Sequence, residues 1–219
     1  MSDHLADAVY DYFYLARQPI FDNSGQIWGY ELLFRSGPDK AFADITNQDM
    51  ATFCVATCGF IKSQELTDQT KKICINFTEK LILEGIPRGL PPSVTVIEVL
   101  EDIQPTDRLM EVLIELKQEG YCIAIDDYEG SDNQKALLDL ADIIKVDILN
   151  KSQEEIEALF TSIKSKRALK IAEKVDDRDI IPHLKKWGCH LYQGYFFAKP
   201  ENLSGRKLKT TAVSKLRIL

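Results

Sequence analysis

The chain has 219 residues, 45% of them hydrophobic and 28% charged, enough for one large domain or two small ones and unlike a disordered or fibrous composition. Its 27 Lys and Arg against 34 Asp and Glu leave a net charge of −7, which disfavours a general nucleic-acid binder, so DNA is not an expected partner. Residues 1–14 lack the apolar core of a secretory signal and no apolar run reaches the ~18 residues a membrane-spanning helix needs, so no membrane association is expected.

Runs rich in Ile, Val and aromatic residues alternate with amphipathic stretches. Strands are expected near residues 14–20 and 26–34. The turn-forming Asn23-Ser24-Gly25 between them predicts an antiparallel hairpin. A helix near 50–62 precedes strands near 72–75 and 94–99. Residues 107–119 then place Leu109, Val112, Leu113 and Leu116 on one helical face, with Thr106 placed to cap the start and Gly120 the end. Strands near 121–125 and 143–146 follow, and a helix over 152–165 opens with the capping box Ser152-Gln-Glu-Glu155. A strand near 169–172 leads to a helix over 179–187, which tolerates Pro182 only in its first turn and stops at Gly188. The last expected strand lies near 190–193.

Most of these strands lack polar–apolar alternation, as strands buried on both faces do. About eight strands with helices between them suggest an α/β fold, a modified (β/α)8 TIM-like barrel with an antiparallel first strand. A doubly wound open sheet is the rival, weakened in its dinucleotide-binding form by the absence of G-x-G-x-x-G after the early strands. Residues 1–203 are taken as the barrel domain. Beyond Glu201 the chain carries Arg206, Lys207, Lys209, Lys215 and Arg217 and no acid, so 204–219 are expected to form a basic linker or docking tail. The cysteines Cys54, Cys58, Cys74, Cys122 and Cys189 contain no C-x-x-C pair and read as small buried hydrophobes in a reducing cytoplasm. The three histidines, His4, His183 and His190, are scattered outside any nucleophile motif.

The functional signal lies where the apolar runs end. Ile73-Cys74-Ile75 ends in Asn76, Val94–Ile97 in Glu98, Cys122–Ile125 in Asp126-Asp127, Leu169–Ala172 in Glu173 and His190–Tyr192 in Gln193, while Ile143-Ile144 leads into Lys145-Val146-Asp147. In a parallel barrel those ends converge on one mouth, where active sites are built. Carboxylates gathered there raise one another's pKa and call for cations. The donors Glu31, Asn76, Glu98, Asp126, Asp127 and Glu173 are all hard oxygen, which favours Mg2+ or Mn2+ over zinc. Adjacent aspartates suit two ions about 3.5–4 Å apart, the arrangement of two-metal phosphodiester hydrolysis. In such a site Lys145 is placed to hold the attacking water or neutralise phosphate charge, and Glu173 to accept the water's proton.

These residues resemble the EAL family of cyclic di-GMP phosphodiesterases over roughly residues 14–201. Gln18-Pro19-Ile20 followed by Gly29-Tyr30-Glu31-Leu32-Leu33-Phe34-Arg35 is similar to the family's opening, with Glu-Leu-Leu in place of Glu-Ala-Leu. Asn76, Glu98-Val-Leu-Glu101, Asp126-Asp127, Lys145-Val-Asp147, Glu173-Lys-Val-Asp176 and Gln193-Gly-Tyr195 match further motifs. The resemblance implies Mg2+ or Mn2+ held by Glu31, Asn76, Glu98, Asp126 and Asp127, and Glu173 as base or second-metal ligand. It further implies Lys145 as water-positioning group, Gln18, Arg35 and Gln193 as substrate contacts, Glu101 and Asp147 in support, and linear pGpG as product. The segment Tyr128-Glu-Gly-Ser-Asp-Asn-Gln134 departs from the family's Gly-Thr-Gly-Tyr-Ser-Ser-like loop, and Lys174 stands where the motif has Gly. These departures resemble the subgroup in which an EAL domain precedes an HDOD domain, so a following HDOD-like domain, a homodimer or another protein partner is expected. The same departures support an alternative function, a catalytically weak EAL domain that binds cyclic di-GMP or a protein.

Overall fold

The computed structural model describes residues 10–37, 48–165 and 167–208. Its strands are β1 (Tyr10–Asp22), β2 (Ile27–Arg35), β3 (Lys72–Phe77), β4 (Thr95–Val99), β5 (Cys122–Ile125), β6 (Ile143–Asp147), β7 (Leu169–Glu173), β8 (Leu191–Tyr192) and β9 (Glu201–Leu208). The strands β2 to β8 pair in chain order, each parallel to the next. β1 closes the barrel by pairing antiparallel with both β8 and β2. The fold is therefore an eight-stranded modified (β/α)8 barrel with an antiparallel first strand, and the open-sheet rival is excluded.

The hairpin between β1 and β2 forms as its turn residues require. The Asp22 carboxylate accepts from the backbone N–H groups of Ser24 (2.8 Å) and Gln26 (2.9 Å), and Gly25 takes the left-handed φ of 77° that its missing Cβ permits. Outside the barrel run α1 (Gln48–Cys54), a π-helical turn (Val55–Gly59), α2 (Phe60–Leu66), α3 (Glu79–Leu83), a 3-10 turn (Ile86–Gly89), α4 (Asp107–Gln118), α5 (Asp132–Leu137), α6 (Gln153–Ser162) and α7 (Ile181–Lys186). Thr106 caps α4 by accepting from Leu109 N–H, and the Ser152–Glu155 box caps α6. Pro182 sits in the first turn of α7. The apolar faces of these helices pack on the outside of the strands, burying Leu109, Val112, Leu113, Leu116, Ile156, Phe160 and Leu184.

Three features depart from the sequence reading. The expected helix over 50–62 runs on to Leu66 through a π turn, whose Gly59 lies so close to the barrel that a Cβ would sit 2.5 Å from Leu15 Cδ1. Helices α3 and α5 are too short, at 5 and 6 residues, to show a periodic pattern. Residues 204–208, read as the start of a linker, instead continue β9, which pairs antiparallel with β1 from Tyr10↔Leu208 to Arg17↔Glu201. Gly205 permits this pairing, because a Cβ there would meet the Phe13 ring at 2.4 Å. Lys209, Lys215 and Arg217 of the expected tail, and His4, lie outside the described residues.

Inside the barrel, Ile20, Cys74, Val96, Ala124, Ile143, Ile171 and Leu191 form a separate buried apolar cluster. Side chains on a strand return to the same face every second residue. Two residues beyond this floor, every parallel strand that contributes to it presents a polar group: Asn76, Glu98, Asp126, Lys145, Glu173 and Gln193. In antiparallel β1 the order reverses, and Gln18 stands two residues before Ile20. Glu31 joins the same layer from β2, two residues after Gly29; a Cβ on Gly29 would lie 2.6 Å from the Lys72 carbonyl oxygen.

Candidate active site

The polar layer closes around Lys145. Its ammonium is 2.8 Å from Asp126 Oδ1, 2.9 Å from Glu98 Oε1, 2.9 Å from Glu173 Oε1 and 3.5 Å from Glu31 Oε1. Lys145 is 1% exposed and Glu98 0%, so this is a desolvated charge cluster and not a surface network. Asn76 Nδ2 donates to Glu31 Oε1 (3.2 Å) and Gln193 Nε2 to Glu31 Oε2 (2.8 Å). The two amides thus hold the Glu31 carboxylate from both sides. Gln193, expected to contact substrate, spends its donor within the cluster.

The adjacent aspartates are fixed by the chain on either side. Asp126 N–H donates to Val99 O on β4 (3.1 Å) and Tyr128 N–H to Lys145 O on β6 (2.8 Å). Asp127 between them adopts a left-handed φ of 40°. Its carboxylate approaches those of Asp126 and Glu173, and one oxygen from each of the three lies within 4.8 Å of the others. Gly194 lets the β8 end pass directly over β7, since a Cβ there would overlap Val175 N and O at 2.2 Å.

Excess negative charge in a dry setting shapes the electrostatics. Burial, and then neighbouring carboxylates, hold Glu98 well above the usual carboxylate range, although Lys145 opposes the shift. Glu173 is pushed up to about 8, by burial first, against the pull of Lys145 and with Asp126 and Glu31 adding to the rise. Burial and the Asp126 charge raise Asp127 as well. Burial alone would lower the Lys145 ammonium, but the attraction of Asp126, Glu173, Glu31 and Glu98 wins and holds it well above its ordinary value. One ammonium faces four carboxylates here and a fifth, Asp127, stands beside them. Asn76 Oδ1, Gln193 Oε1 and Glu98 Oε2 are buried without a hydrogen-bond donor. Surplus charge, hard oxygen donors and an orphaned carbonyl oxygen together fit a divalent cation.

This layer floors a cavity of about 560 Å3 lined by Gln18, Glu31, Arg35, Asn76, Asp126, Asp127, Lys145, Glu173 and Gln193, with Lys174, Asp176 and Tyr195 at its rim. All the expected metal ligands except the deeper Glu98, and all the expected catalytic and substrate residues, line it. Glu101 and Asp147 do not; with Asp127 they line a neighbouring cavity of about 350 Å3. Asp147 bonds the Lys174 ammonium and accepts from Leu149 N–H (2.8 Å), so it braces the ends of β6 and β7. One residue was missed, although Ser131-Asp-Asn-Gln134 has the pattern of a capping box. Gln134, in the short α5, is 3% exposed and hydrogen-bonds the backbone of both aspartates.

Residues 60–200 match the EAL domain family. The chain belongs to that family. Among curated relatives, the EAL chain is 34% identical over 210 residues to the cyclic di-GMP phosphodiesterase CdgJ of Vibrio cholerae, covering 94% of this chain and 48% of that protein. It is 32% identical to the uncharacterized protein YuxH of Bacillus subtilis, covering 94% of this chain and 52% of the relative. The chain thus spans about half the length of these relatives. Among solved structures, an EAL domain protein of Listeria monocytogenes superimposes with a TM-score of 0.70 at 21% identity, covering 95% of this chain and 93% of the other. BlrP1 of Klebsiella pneumoniae, solved with calcium and cyclic di-GMP, gives 0.69 at 21% identity over 94% of this chain and 64% of the other. These likenesses establish the EAL barrel fold. No helix among the described residues is long and apolar enough to cross a membrane.

Proposed function

We propose that this EAL domain hydrolyses one phosphodiester bond of cyclic di-GMP to give linear pGpG, using Mg2+ or Mn2+. The observation that carries the proposal is the convergence of Glu31, Asn76, Glu98, Asp126, Asp127 and Glu173 around Lys145 at the floor of a single cavity. It is supported by the 34% identity to a cyclic di-GMP phosphodiesterase and by the calcium and manganese complexes of cyclic di-GMP named for BlrP1.

Glu31, Asn76, Glu98, Asp126 and Asp127 would hold the metal, with Glu173 available to a second ion. When bound, the metal would supply Lewis acidity toward phosphoryl oxygens and lower the pKa of a bound water. The chain's own residues provide the rest. Lys145, whose ammonium protons are engaged by the surrounding carboxylates in the metal-free chain, would turn a donor to the attacking water once the cation takes over their oxygens. Glu173, whose carboxylate lines the same cavity, would accept that water's proton. The water oxygen bonds to phosphorus, the P–O3′ bond breaks, and the departing oxygen takes a proton from solvent at the open mouth. Gln18 and Arg35, from adjacent strands, line the wall where the dinucleotide would be gripped.

The test is incubation of the purified chain with cyclic di-GMP and either metal, with products resolved by chromatography. Formation of pGpG that disappears in Asp126→Asn, with melting behaviour retained, is the expected result. Folded protein that yields no pGpG at high enzyme concentration would refute it. Binding without turnover would select the alternative, a signalling module, which the divergent residues 128–134 favour.

A further inference from the structure

The loop after the aspartate pair, where this sequence departs from the EAL pattern, is closed by one side chain. Gln134 uses both ends of its amide. Nε2 donates to Asp127 O (2.9 Å) and Asp126 O (3.4 Å), while Oε1 accepts from Glu129 N–H (2.9 Å) and Ser131 N–H (3.3 Å). A carboxamide carries two donors and an acceptor with two lone pairs, so this capacity is fully used. The side chain is 3% exposed, and each of these bonds is shielded from competition by water.

The two carbonyls it holds belong to the residues whose carboxylates enter the charge cluster. The backbone there is already anchored to β4 and β6 through Asp126 N–H and Tyr128 N–H, which leaves its carbonyl side as the free edge. Asp127 sits at φ 40°, a conformation that L side chains adopt only when surrounding contacts enforce it. Gln134 adds to that enforcement from the carbonyl side. We infer that Gln134 is a positioning residue for the proposed metal site: it fixes the peptide from which Asp126 and Asp127 project, without itself touching cation or nucleotide. The inference rests on the reading that this cluster holds a divalent cation.

Three variants of the full chain separate this role from simple packing. Gln134→Glu keeps both acceptor bonds but sets a carboxylate against two carbonyl oxygens. Gln134→Met removes the amide altogether. Ser131→Ala removes only the hydroxyl that accepts from Gln134 N–H, weakening the cap of α5 but sparing the amide. Mn2+ alone is titrated into each protein by calorimetry, with melting temperature recorded in parallel. Partners that orient metal ligands typically cost about 10- to 100-fold in affinity when lost. Both Gln134 variants should therefore bind Mn2+ at least about 10-fold more weakly, while Ser131→Ala melts lower but stays within about 2-fold of the parent. Parent-like Mn2+ affinity in Gln134→Glu would overturn the inference, as would an equal loss in Ser131→Ala. A parent chain that binds no Mn2+ would sink the proposed function itself, and this inference with it.

Discussion

Two layers of side chains point into the same barrel, two residues apart on every strand they share, and they could hardly differ more. The floor is Ile20, Cys74, Val96, Ala124, Ile143, Ile171 and Leu191, apolar throughout. The rim above it is Glu31, Asn76, Glu98, Asp126, Lys145, Glu173 and Gln193. The comparison teaches that the floor makes the charges of the rim costly to hold. An apolar, close-packed layer leaves the carboxylates without water beneath them, so each is costly to ionise and together they demand a cation. On the floor a side chain contributes packing; one step higher it contributes charge, and losing it leaves partners stranded.

The largest effect should come from breaking that balance. Lys145→Met removes the ammonium that four carboxylates share, and losing one partner of a buried charge pair typically costs about 3–5 kcal/mol. Thermal melting should fall steeply, with added Mn2+ restoring part of the loss. A variant that melts like the parent would show the rim to be far wetter than described.

The pH dependence comes next. With Glu173 raised from its ordinary 4.5 to about 8 in the folded chain, the unfolded chain releases that proton first. Folding stability from this group is therefore complete below about pH 4.5 and is lost as pH rises through about 8, in metal-free protein. Glu98 shifts in the same direction, while Lys145, held above its ordinary value, stays charged across this window. Denaturant melts with chelator between pH 5 and 8, expected to show declining stability, sharpen the comparison; a flat or rising profile would count against the burial of Glu173.

Smaller effects belong to the floor and the outer rim. Ile171→Val should cost about 0.5–1.5 kcal/mol and leave hydrolysis within a few-fold of the parent, because it removes one methylene below the charges. A large loss of activity would mean that floor packing sets ligand geometry. Lys174, at φ 54°, sits in a backbone region that suits glycine. Lys174→Gly should relieve roughly 1 kcal/mol of strain while losing a half-exposed bond to Asp147, for a net change near zero in melting.

Much of both layers was legible before any coordinates. Apolar runs ending in Asn76, Glu98, Asp126 and Glu173 announce parallel strands with a chemical rim, because a period of two fixes which residues share a face. The hairpin, the caps at Thr106 and Ser152 and the position of Pro182 were equally local and equally readable. What escaped depends on contacts made far along the chain. Residues 204–208 read as the start of a linker because they open a basic stretch without acids; only the Phe13 ring opposite Gly205, 192 positions away, shows why glycine belongs in that strand. Gln134 could have been read as the close of the capping box Ser131-Asp-Asn-Gln134, but its hold on the aspartates could not, because its partners there are carbonyl oxygens that no side-chain pattern records.

The most direct test is a crystal of the chain grown with Mn2+ and cyclic di-GMP, measured at the manganese absorption edge. The account predicts anomalous peaks among the carboxylates of Glu31, Glu98, Asp126 and Asp127 and the carbonyl oxygen of Asn76, with the dinucleotide phosphate against them. Bound nucleotide with no manganese peak in that cluster, and Lys145 still bridging all four of its carboxylates, would contradict it.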